Sequence, residues 1–333
     1  MKSPPAISLP QGVRDILPEE AGKIENAAAS ILSVFERNGF KRIITPLLEY
    51  VDVLSLGMGE NLKDSVLKFI DPSTGRVVAI RPDITSQIAR VVATRMRDCD
   101  LPLKLCYNES VIRYVGPNRS KSREVIQIGA EYVSGEASAE ADAEMISMAI
   151  EALRATGLKN FKIDIGDVGF LRTVLSALDI EEDVRQKIRE HIALKDFSGL
   201  EAVLEGAGKG LGSGEKKMLL SLTTLYGERE VFKEAAGFAK EDSTKEVLGN
   251  LQSVFDIITG RGLSDFVTID LGEVRGFDYY TGIIFEGFAT GFGKPLLSGG
   301  RYDDLLERYG FRSAATGFAF DMENIVGALE RNP

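Results

Sequence analysis

Two stretches of the chain decide the fold: LKLCYNESVIRY, residues 103–114, and REVIQIGAEYV, residues 123–133. Apolar and polar residues alternate along both, and a short polar segment separates them, which predicts two antiparallel strands. On the second strand, Arg123, Gln127 and Glu131 follow one another at intervals of four residues. Side chains at such intervals lie on the same face of a sheet.

This polar face has two interpretations that the residues alone leave open. Arg113 lies on the partner strand, within cross-strand reach of the face. Arg, Gln and Glu are costly to bury without partners, so the face can be a solvated surface. The same types suit a pocket for a small zwitterion, because Arg binds a carboxylate, an acid binds an ammonium, and Glu with Tyr binds both nitrogens of an imidazole.

Strand and helix patterns continue on both sides of these two strands. A β-hairpin is predicted over residues 66–80 and a helix over residues 302–308, and β-containing segments bracket a mostly helical block at residues 170–262. The sequence therefore predicts an α+β fold, a mostly antiparallel sheet flanked by helices. Residues 1–169 and 263–333 would form one domain, with residues 170–262 as a helical insertion.

The composition disfavours several classes of protein and site. The 333 residues include 40 basic and 50 acidic side chains, for a net charge of −10, which argues against binding to long nucleic acid. No apolar run reaches the roughly 18 residues of a membrane span, and no secretory signal opens the chain, so a cytoplasmic location is expected. Two cysteines, Cys99 and Cys106, and one histidine, His191, disfavour a zinc site or a disulfide framework.

Five motifs resemble the catalytic domain of class II aminoacyl-tRNA synthetases, and of histidyl-tRNA synthetase in particular. GFKRIITP resembles motif 1, the strand of the dimer interface, the region from IRY onward resembles motif 2, and GFAFDME resembles motif 3. RGFDYY and GGRYD are similar to two signatures peculiar to the histidine enzyme. In the same order, the motifs occupy residues 39–46, 112–123, 317–323, 275–280 and 299–303. The resemblance implies a class II synthetase-like fold.

The resemblance also implies a pocket for histidine. Asp83 and Thr85 would hold the α-amino group of the ligand, with Gln127 nearby. Glu131 and Tyr280 would bind the imidazole ring. These roles come from matching each residue to the motifs of the family.

Four further residues complete the implied set of ligand-binding side chains. Arg113 would lie near the carboxylate of histidine or its activated form, and Arg275 would take the place of the arginine that helps to catalyse adenylation. Tyr279 and Tyr302 would line the pocket. No metal ligand and no cofactor is expected.

The chain departs from the synthetase pattern at positions that handle nucleotide and tRNA. Asn324 replaces the arginine that grips an ATP phosphate at the end of motif 3, and an amide supplies neither its charge nor its fork of donors. Val115 replaces an acid of motif 2, and Lys121 replaces a second arginine. The sequence stops at Pro333, where a synthetase continues into an anticodon-binding domain of about 100 residues, so none is expected here.

This combination resembles a paralogous family, the regulatory subunits of ATP phosphoribosyltransferase, the first enzyme of histidine biosynthesis. The resemblance implies a non-catalytic subunit that is required for activity and for histidine feedback, with no catalytic residue of its own. Its partner would be the short form of the catalytic subunit, and the chain would form a homodimer within a hetero-octamer of four and four subunits. L-Histidine is the expected effector, and tRNA binding is not expected.

Two other functions stay open. A truncated histidyl-tRNA synthetase-like enzyme that makes histidyl-adenylate would use Arg113, Arg123 and Arg275, which are all present. A binding module for RNA or another small metabolite would reuse the fold without either activity, although the net charge disfavours RNA. If the pocket residues are kept only for structure, the effector would instead bind at the junction with the partner subunit.

Overall fold

The computed structural model of the chain describes residues 8–59, 66–114, 122–207, 211–239, 241–273 and 280–332. Four residues that the sequence analysis singled out lie outside these described residues: Val115, Lys121, Arg275 and Tyr279. In the described part of the chain, no helix is both long enough and apolar enough to cross a bilayer.

A nine-stranded sheet forms the centre of the described structure. Its strands, in spatial order, are β1 Lys41–Arg42, β5 Leu103–Ile112, β6 Glu124–Ser134, β12 Ala314–Asp321, β11 Phe292–Arg301, β10 Ile283–Ala289, β7 Phe161–Asp167, β9 Val267–Asp270 and β8 Tyr226–Gly227. The pairs β1 with β5 and β7 with β9 are parallel, and the other neighbours are antiparallel. The predicted fold class, a mostly antiparallel sheet flanked by helices, is therefore confirmed.

The two strands that decide the fold pair as the sequence predicts. Strands β5 and β6 run antiparallel, with Glu109 opposite Gln127 and Leu105 opposite Glu131. Because Gln127 and Glu131 are four residues apart on β6, both side chains lie on one face of the sheet. Strand β12 continues the sheet beyond β6 and places Gly317 opposite Glu131.

A second, three-stranded sheet stands beside the first. Its strands are β2 Leu48–Tyr50, β4 Val77–Ile80 and β3 Lys68–Ile70, in that order. Strands β3 and β4 are antiparallel and lie within the hairpin predicted over residues 66–80. Strand β4 leads into residues 81–84, so this sheet positions the segment that carries Asp83.

Helices cover the sheet, and helices also make up most of the stretch of sequence between β7 and β9. They are α1 Pro18–Arg37, α2 Val51–Gly57, α3 Thr85–Arg95, α4 Ala139–Ala155, α5 Val168–Ser176, α6 Glu182–Ala193, α7 Phe197–Gly206, α8 Ser213–Ser221, α9 Glu230–Ala236, α10 Asp242–Gly260 and α11 Met322–Arg331. Helices α1, α4 and α11 pack together, and α10 packs on α4. We call residues 168–260, which hold α5 to α10, the helical segment. Its two-residue strand β8 joins the edge of the main sheet by pairing with β9.

Helix α1 illustrates how local sequence signals determine where a helix begins, which face it buries and where it ends. Pro18 occupies its first turn, where a missing N–H is tolerated, and Glu19 and Glu20 follow at the positive end of the helix dipole. The apolar residues buried on the core side recur at helical spacing. The helix ends before Gly39, whose φ of 83° lies in the left-handed region that favours glycine.

One predicted helix is wrong. Residues 302–308 form turns that lead into a 3₁₀-helix, Glu307–Tyr309, rather than an α-helix. The backbone N–H of Tyr302 donates to the carbonyl of Ala315 at 2.8 Å, and the N–H of Ala315 donates to Asp303 Oδ1 at 2.9 Å. These bonds attach the start of the segment to β12. The backbone bonds that follow are of the i→i+3 type, from the N–H of Leu305 to the carbonyl of Tyr302 at 3.2 Å and from the N–H of Tyr309 to that of Leu306 at 3.0 Å.

Candidate functional site: a polar cavity over the central sheet

A cavity of about 280 Å³ lies over strands β6, β10, β11 and β12. This volume is close to the lower end of the roughly 300–1,000 Å³ of ligand pockets, so a single small metabolite suits it. Six residues that the sequence analysis assigned to the histidine pocket line it: Asp83, Thr85, Arg113, Gln127, Tyr280 and Tyr302. The chain thus brings together residues that are up to 219 positions apart between Asp83 and Tyr302.

Glu131, also assigned to the pocket, is not among the residues that line the cavity; it is buried behind Thr85 and Tyr302, with 1% of its surface exposed. Thr85 Oγ1 donates a hydrogen bond to Glu131 Oε1 at 2.7 Å, and the hydroxyl of Tyr302 donates to Oε2. Burial, opposed by these hydroxyl donors and reinforced by the nearby charge of Asp83, raises the pKa of Glu131 to about 8. Near neutral pH the group is therefore largely protonated, and it presents both a donor and an acceptor.

Two glycines make room for this carboxyl group. A Cβ atom at Gly317 would lie 1.7 Å from Glu131 Oε2, well inside any real contact. Gly129 lies opposite Tyr107 in the β5–β6 ladder, and a Cβ there would lie 2.3 Å from the ring of Tyr107. The hydroxyl of Tyr107 in turn donates to Glu131 Oε1 at 3.4 Å. Both positions therefore require glycine, because a Cβ atom there would clash with Glu131 or with Tyr107.

Asp83 and Gln127 offer acceptors at the other side of the cavity. Asp83 Oδ2 accepts from the backbone N–H and the hydroxyl of Ser86, at 3.1 and 3.2 Å, which fixes the carboxylate over the first turn of α3. Gln127 is 9% exposed, and no donor among the described residues reaches its buried Oε1. A buried acceptor without a donor is costly, so a ligand with N–H groups would be stabilised here.

Arg113 supplies the positive charge among the described residues that line the cavity. It stands directly after β5, and its Nε donates to the carbonyl of Pro82 at 2.8 Å, which ties it to the segment that carries Asp83. That bond uses one of the five N–H donors of a guanidinium. The arrangement can place a guanidinium against a carboxylate while an ammonium binds to Asp83 and Gln127.

Two buried arginines, Arg81 and Arg301, do not line the cavity and stabilise the fold instead. Arg81, 3% exposed, donates to the carbonyls of Thr45 and Ser110 and to Glu109 Oε2, each at 2.8 Å. Arg301 binds Asp142 through two nitrogens, at 3.0 and 2.9 Å. These bonds join distant segments around the cavity and hold its walls in place.

Tyr107 and three cavity-lining residues, Glu273, Glu286 and Ser298, had no role assigned to them from the sequence. Tyr107 had a signal, since a tyrosine opposite a glycine in a predicted ladder indicates that its ring crosses the partner strand. The other three stand on or beside strands that reach the cavity only through the sheet order, which no local pattern reveals. In the described residues, no group of three or more His, Cys, Asp or Glu side chains has the arrangement of a metal site.

Comparisons with known proteins identify the family of this chain. The family model for histidyl-tRNA synthetase matches residues 12–325, nearly the whole chain. The chain belongs to the histidyl-tRNA synthetase family.

Relatives within this family carry a more specific name. Proteins of Geobacter metallireducens and Geobacter sulfurreducens, each named ATP phosphoribosyltransferase regulatory subunit, are 47% identical over 325 residues, which are 98% of this chain and 74% of theirs. A crystal structure from Bacillus halodurans, described as an ATP phosphoribosyltransferase regulatory subunit/histidyl-tRNA synthetase, has a TM-score of 0.89 at 33% identity and covers 99% of this chain and 84% of that one. The chain groups with these regulatory subunits of the family.

Asn324, the predicted replacement for the motif 3 arginine of the synthetases, has a structural contact in this protein. Its Nδ2 donates to the carbonyl of Pro295 at 2.8 Å. Its backbone N–H donates to Asp321 Oδ1 at 3.0 Å and so caps α11. The neighbouring Glu323 pairs with Arg14, with 3.2 Å between Oε2 and Nη2. Asn324 therefore holds β11 and α11 together and is not among the residues that line the cavity.

Proposed function

We propose that this protein is the non-catalytic regulatory subunit of ATP phosphoribosyltransferase, required for activity and for histidine feedback in the first step of L-histidine biosynthesis. The glycosyltransferase chemistry resides in the short-form catalytic partner, and the complex works in the cytoplasm. The names of the curated relatives support the role, and the cavity supports the effector. Feedback then requires that histidine binds two states of the assembly with different affinity.

One observation carries the choice of histidine: the donor-less Oε1 of Gln127 shares a cavity with Asp83 and Arg113, and buried Glu131 is hydrogen-bonded to the lining residues Thr85 and Tyr302. An α-ammonium has three N–H donors for Gln127 and Asp83. The α-carboxylate suits Arg113, and Glu131 with Tyr280 suits the two ring nitrogens. A zwitterion with an imidazole therefore has a group to match each of these five residues.

The charge of the cavity disfavours a nucleotide triphosphate. Among the described lining residues, the carboxyl groups of Asp83, Glu273 and Glu286 accompany the single guanidinium of Arg113. A triphosphate needs several positive partners, and Asn324 supplies none because its amide is neutral; this amide is also bound to the carbonyl of Pro295. This supports a subunit that binds the amino acid without activating it.

A surface around the small sheet supports the proposed homodimer within a hetero-octamer of four and four subunits. Ile44 is 75% exposed and Ile70 is 67% exposed, which is unusual for isoleucine. Further apolar side chains are exposed on the same segments: Leu47, Leu48, Phe69 and Val77. Residues 1–169 and 263–333 would then form the dimeric domain, with residues 170–262 as an insertion.

Light scattering tests this dimer. Ile44→Asp and Ile70→Asp should lower the molar mass of the isolated protein, because each places a charge in the buried interface. Leu194→Asp is the matched control and should leave the molar mass unchanged. Leu194 follows the end of α6 in the helical segment and is 75% exposed, as Ile44 is. An unchanged mass for both isoleucine variants would refute the proposed surface.

The function itself is tested by co-purification with a short-form catalytic subunit, an activity assay with and without histidine, and calorimetric titration with histidine. Gln127→Met should weaken histidine binding by about 10-fold or more, since it removes a hydrogen bond to a charged group. Gln186→Met, at an exposed glutamine of α6, is the control. If the wild type neither binds histidine nor alters the partner's activity, the proposal fails.

The alternative, a truncated enzyme that makes histidyl-adenylate, is decided by ATP–pyrophosphate exchange. We expect no histidine-dependent exchange in the wild type. Asn324→Arg supplies the missing guanidinium but loses the bond to Pro295, so it should not create exchange on its own. Exchange in the wild type would establish the alternative.

A further inference from the structure

The described ends of the connection from β9 to β10, residues 271–273 and 280–282, lie beside the cavity. Each end places one side chain in the cavity lining: Glu273 at the beginning and Tyr280 at the end. Both described ends also contact the helical segment. The position of that segment is therefore linked to two residues of the pocket.

Lys195 makes the contact at the beginning of the connection. Its Nζ donates to Asp270 Oδ1 at 2.6 Å, and the same oxygen accepts from the backbone N–H of Gly272 at 2.9 Å. Asp270 is buried, and the ammonium lies so close that a Cβ at Gly272 would be 2.6 Å from Nζ. The lysine thus fixes the turn that leads directly to Glu273.

The backbone conformation of Lys195 is one that favours glycine, which indicates that the lysine side chain has a role of its own. The residue follows the end of α6 with a φ of 53°, in the left-handed region where glycine is favoured. Its N–H donates to the carbonyl of Ile192 at 3.0 Å, and the N–H of Asp196 donates to that of His191 at 2.9 Å, which together form a Schellman turn. Glycine would make this turn at lower cost, so the turn alone does not explain a lysine.

Helix α5 makes the contacts at the other end. Arg172 Nη2 donates to the carbonyl of Tyr280 at 3.3 Å, and the backbone N–H of Val168 donates to the carbonyl of Gly282 at 3.1 Å. Helix α5 is the first helix of the helical segment and follows β7 directly. The segment therefore holds the connection at both described ends, through residues that do not line the cavity.

We propose that Lys195 and Arg172 are positioning residues through which the helical segment sets the affinity of the pocket for its ligand, by holding Glu273 and Tyr280 in place. The inference rests on the proposed histidine-binding function and extends it. By reciprocity, ligand in the pocket stabilises this position of the helical segment. A displacement of the segment by another subunit would then change the affinity for histidine.

Titration calorimetry of the intact protein with histidine tests the inference. Lys195→Gly keeps the Schellman turn and removes the ammonium, and it should weaken binding by about 5- to 20-fold, in the range of typical couplings between sites. Lys195→Arg keeps a positive charge at this position, so this variant should bind histidine with close to the wild-type affinity. Arg172→Met should weaken binding independently, which covers the case in which the glycine variant misfolds. Lys187→Met is the matched control, because Lys187 pairs only across an exposed turn of α6 with Asp183, at 3.6 Å.

Hydrogen exchange of the amides in residues 271–273 and 280–282 is measured on the same variants without ligand. Faster exchange in Lys195→Gly and Arg172→Met, but not in Lys187→Met, supports the positioning role. Wild-type affinity together with wild-type exchange in both variants overturns it. If the wild type does not bind histidine, the proposed function fails, and the exchange data alone decide whether the two residues hold the connection.

Discussion

Glu131→Gln replaces the titratable carboxyl group of Glu131 by an amide that cannot ionise, without changing the shape of the side chain. The side chain accepts hydrogen bonds from Thr85 and Tyr302 and lies against the backbone at Gly317. Glutamine has the same size, and its amide offers a donor and an acceptor, as a protonated carboxyl group does. The substitution therefore isolates the free energy that depends on the proton.

The expected magnitude follows from the pKa of Glu131. Burial raises this pKa from about 4.5 to about 8 in the folded protein. Between these values the folded state holds a proton that the unfolded state has lost, so stability falls as pH rises through this window and levels off above about pH 8. Each pKa unit corresponds to about 1.36 kcal/mol, so Glu131 costs the wild type up to about 5 kcal/mol at high pH. Glutamine has no such dependence.

The assay is urea unfolding of both proteins at pH 5, 6, 7 and 8, at one protein concentration because assembly alters apparent stability. The free energy of unfolding of the variant minus that of the wild type should increase by about 4 kcal/mol from pH 5 to pH 8. Asp167, whose pKa burial raises to about 7, is present in both proteins, so its contribution cancels in the difference. A difference that stays constant over this range would show that Glu131 is ionised in the folded protein and would refute the reasoning.

Two further predictions concern the walls of the cavity. Gly317→Ala should abolish histidine binding in calorimetry and lower the melting temperature, because its Cβ would lie 1.7 Å from Glu131 Oε2; a variant that binds like the wild type would contradict the assigned contact. Arg81→Met should lower the free energy of unfolding by about 3–5 kcal/mol, since it leaves Glu109 and two backbone carbonyls without their buried donor. Chemical denaturation measures this loss, and a change below about 1 kcal/mol would argue against the network.

The sequence predicted the parts of the site that depend on local periodicity. The period of two along β6 placed Gln127 and Glu131 on one face, and the polar segment before β6 predicted its pairing with β5. The resemblance then supplied Asp83, Thr85 and Tyr302, which no periodicity connects to that face. Arg275 and Tyr279 lie outside the described residues, so their roles stay predictions.

The remaining features depend on long-range packing. Glu286 and Ser298 reach the cavity because β10 and β11 lie beside β12, an order that a single sequence does not encode locally. The predicted helix at residues 302–308 failed for a related reason. Tyr302 and Asp303 are both bonded to Ala315 of β12, a long-range contact that the local helical pattern does not encode, and the backbone bonds that follow are of the i→i+3 type.

The bond from Asn324 to Pro295 ties the choice of residue at position 324 to the stability of the fold. An arginine at this position would leave the Pro295 carbonyl without its donor and weaken the contact between the final helix and the sheet, before any phosphate had been bound. A single substitution toward a nucleotide site would therefore lower the stability first, so selection for stability alone would oppose it.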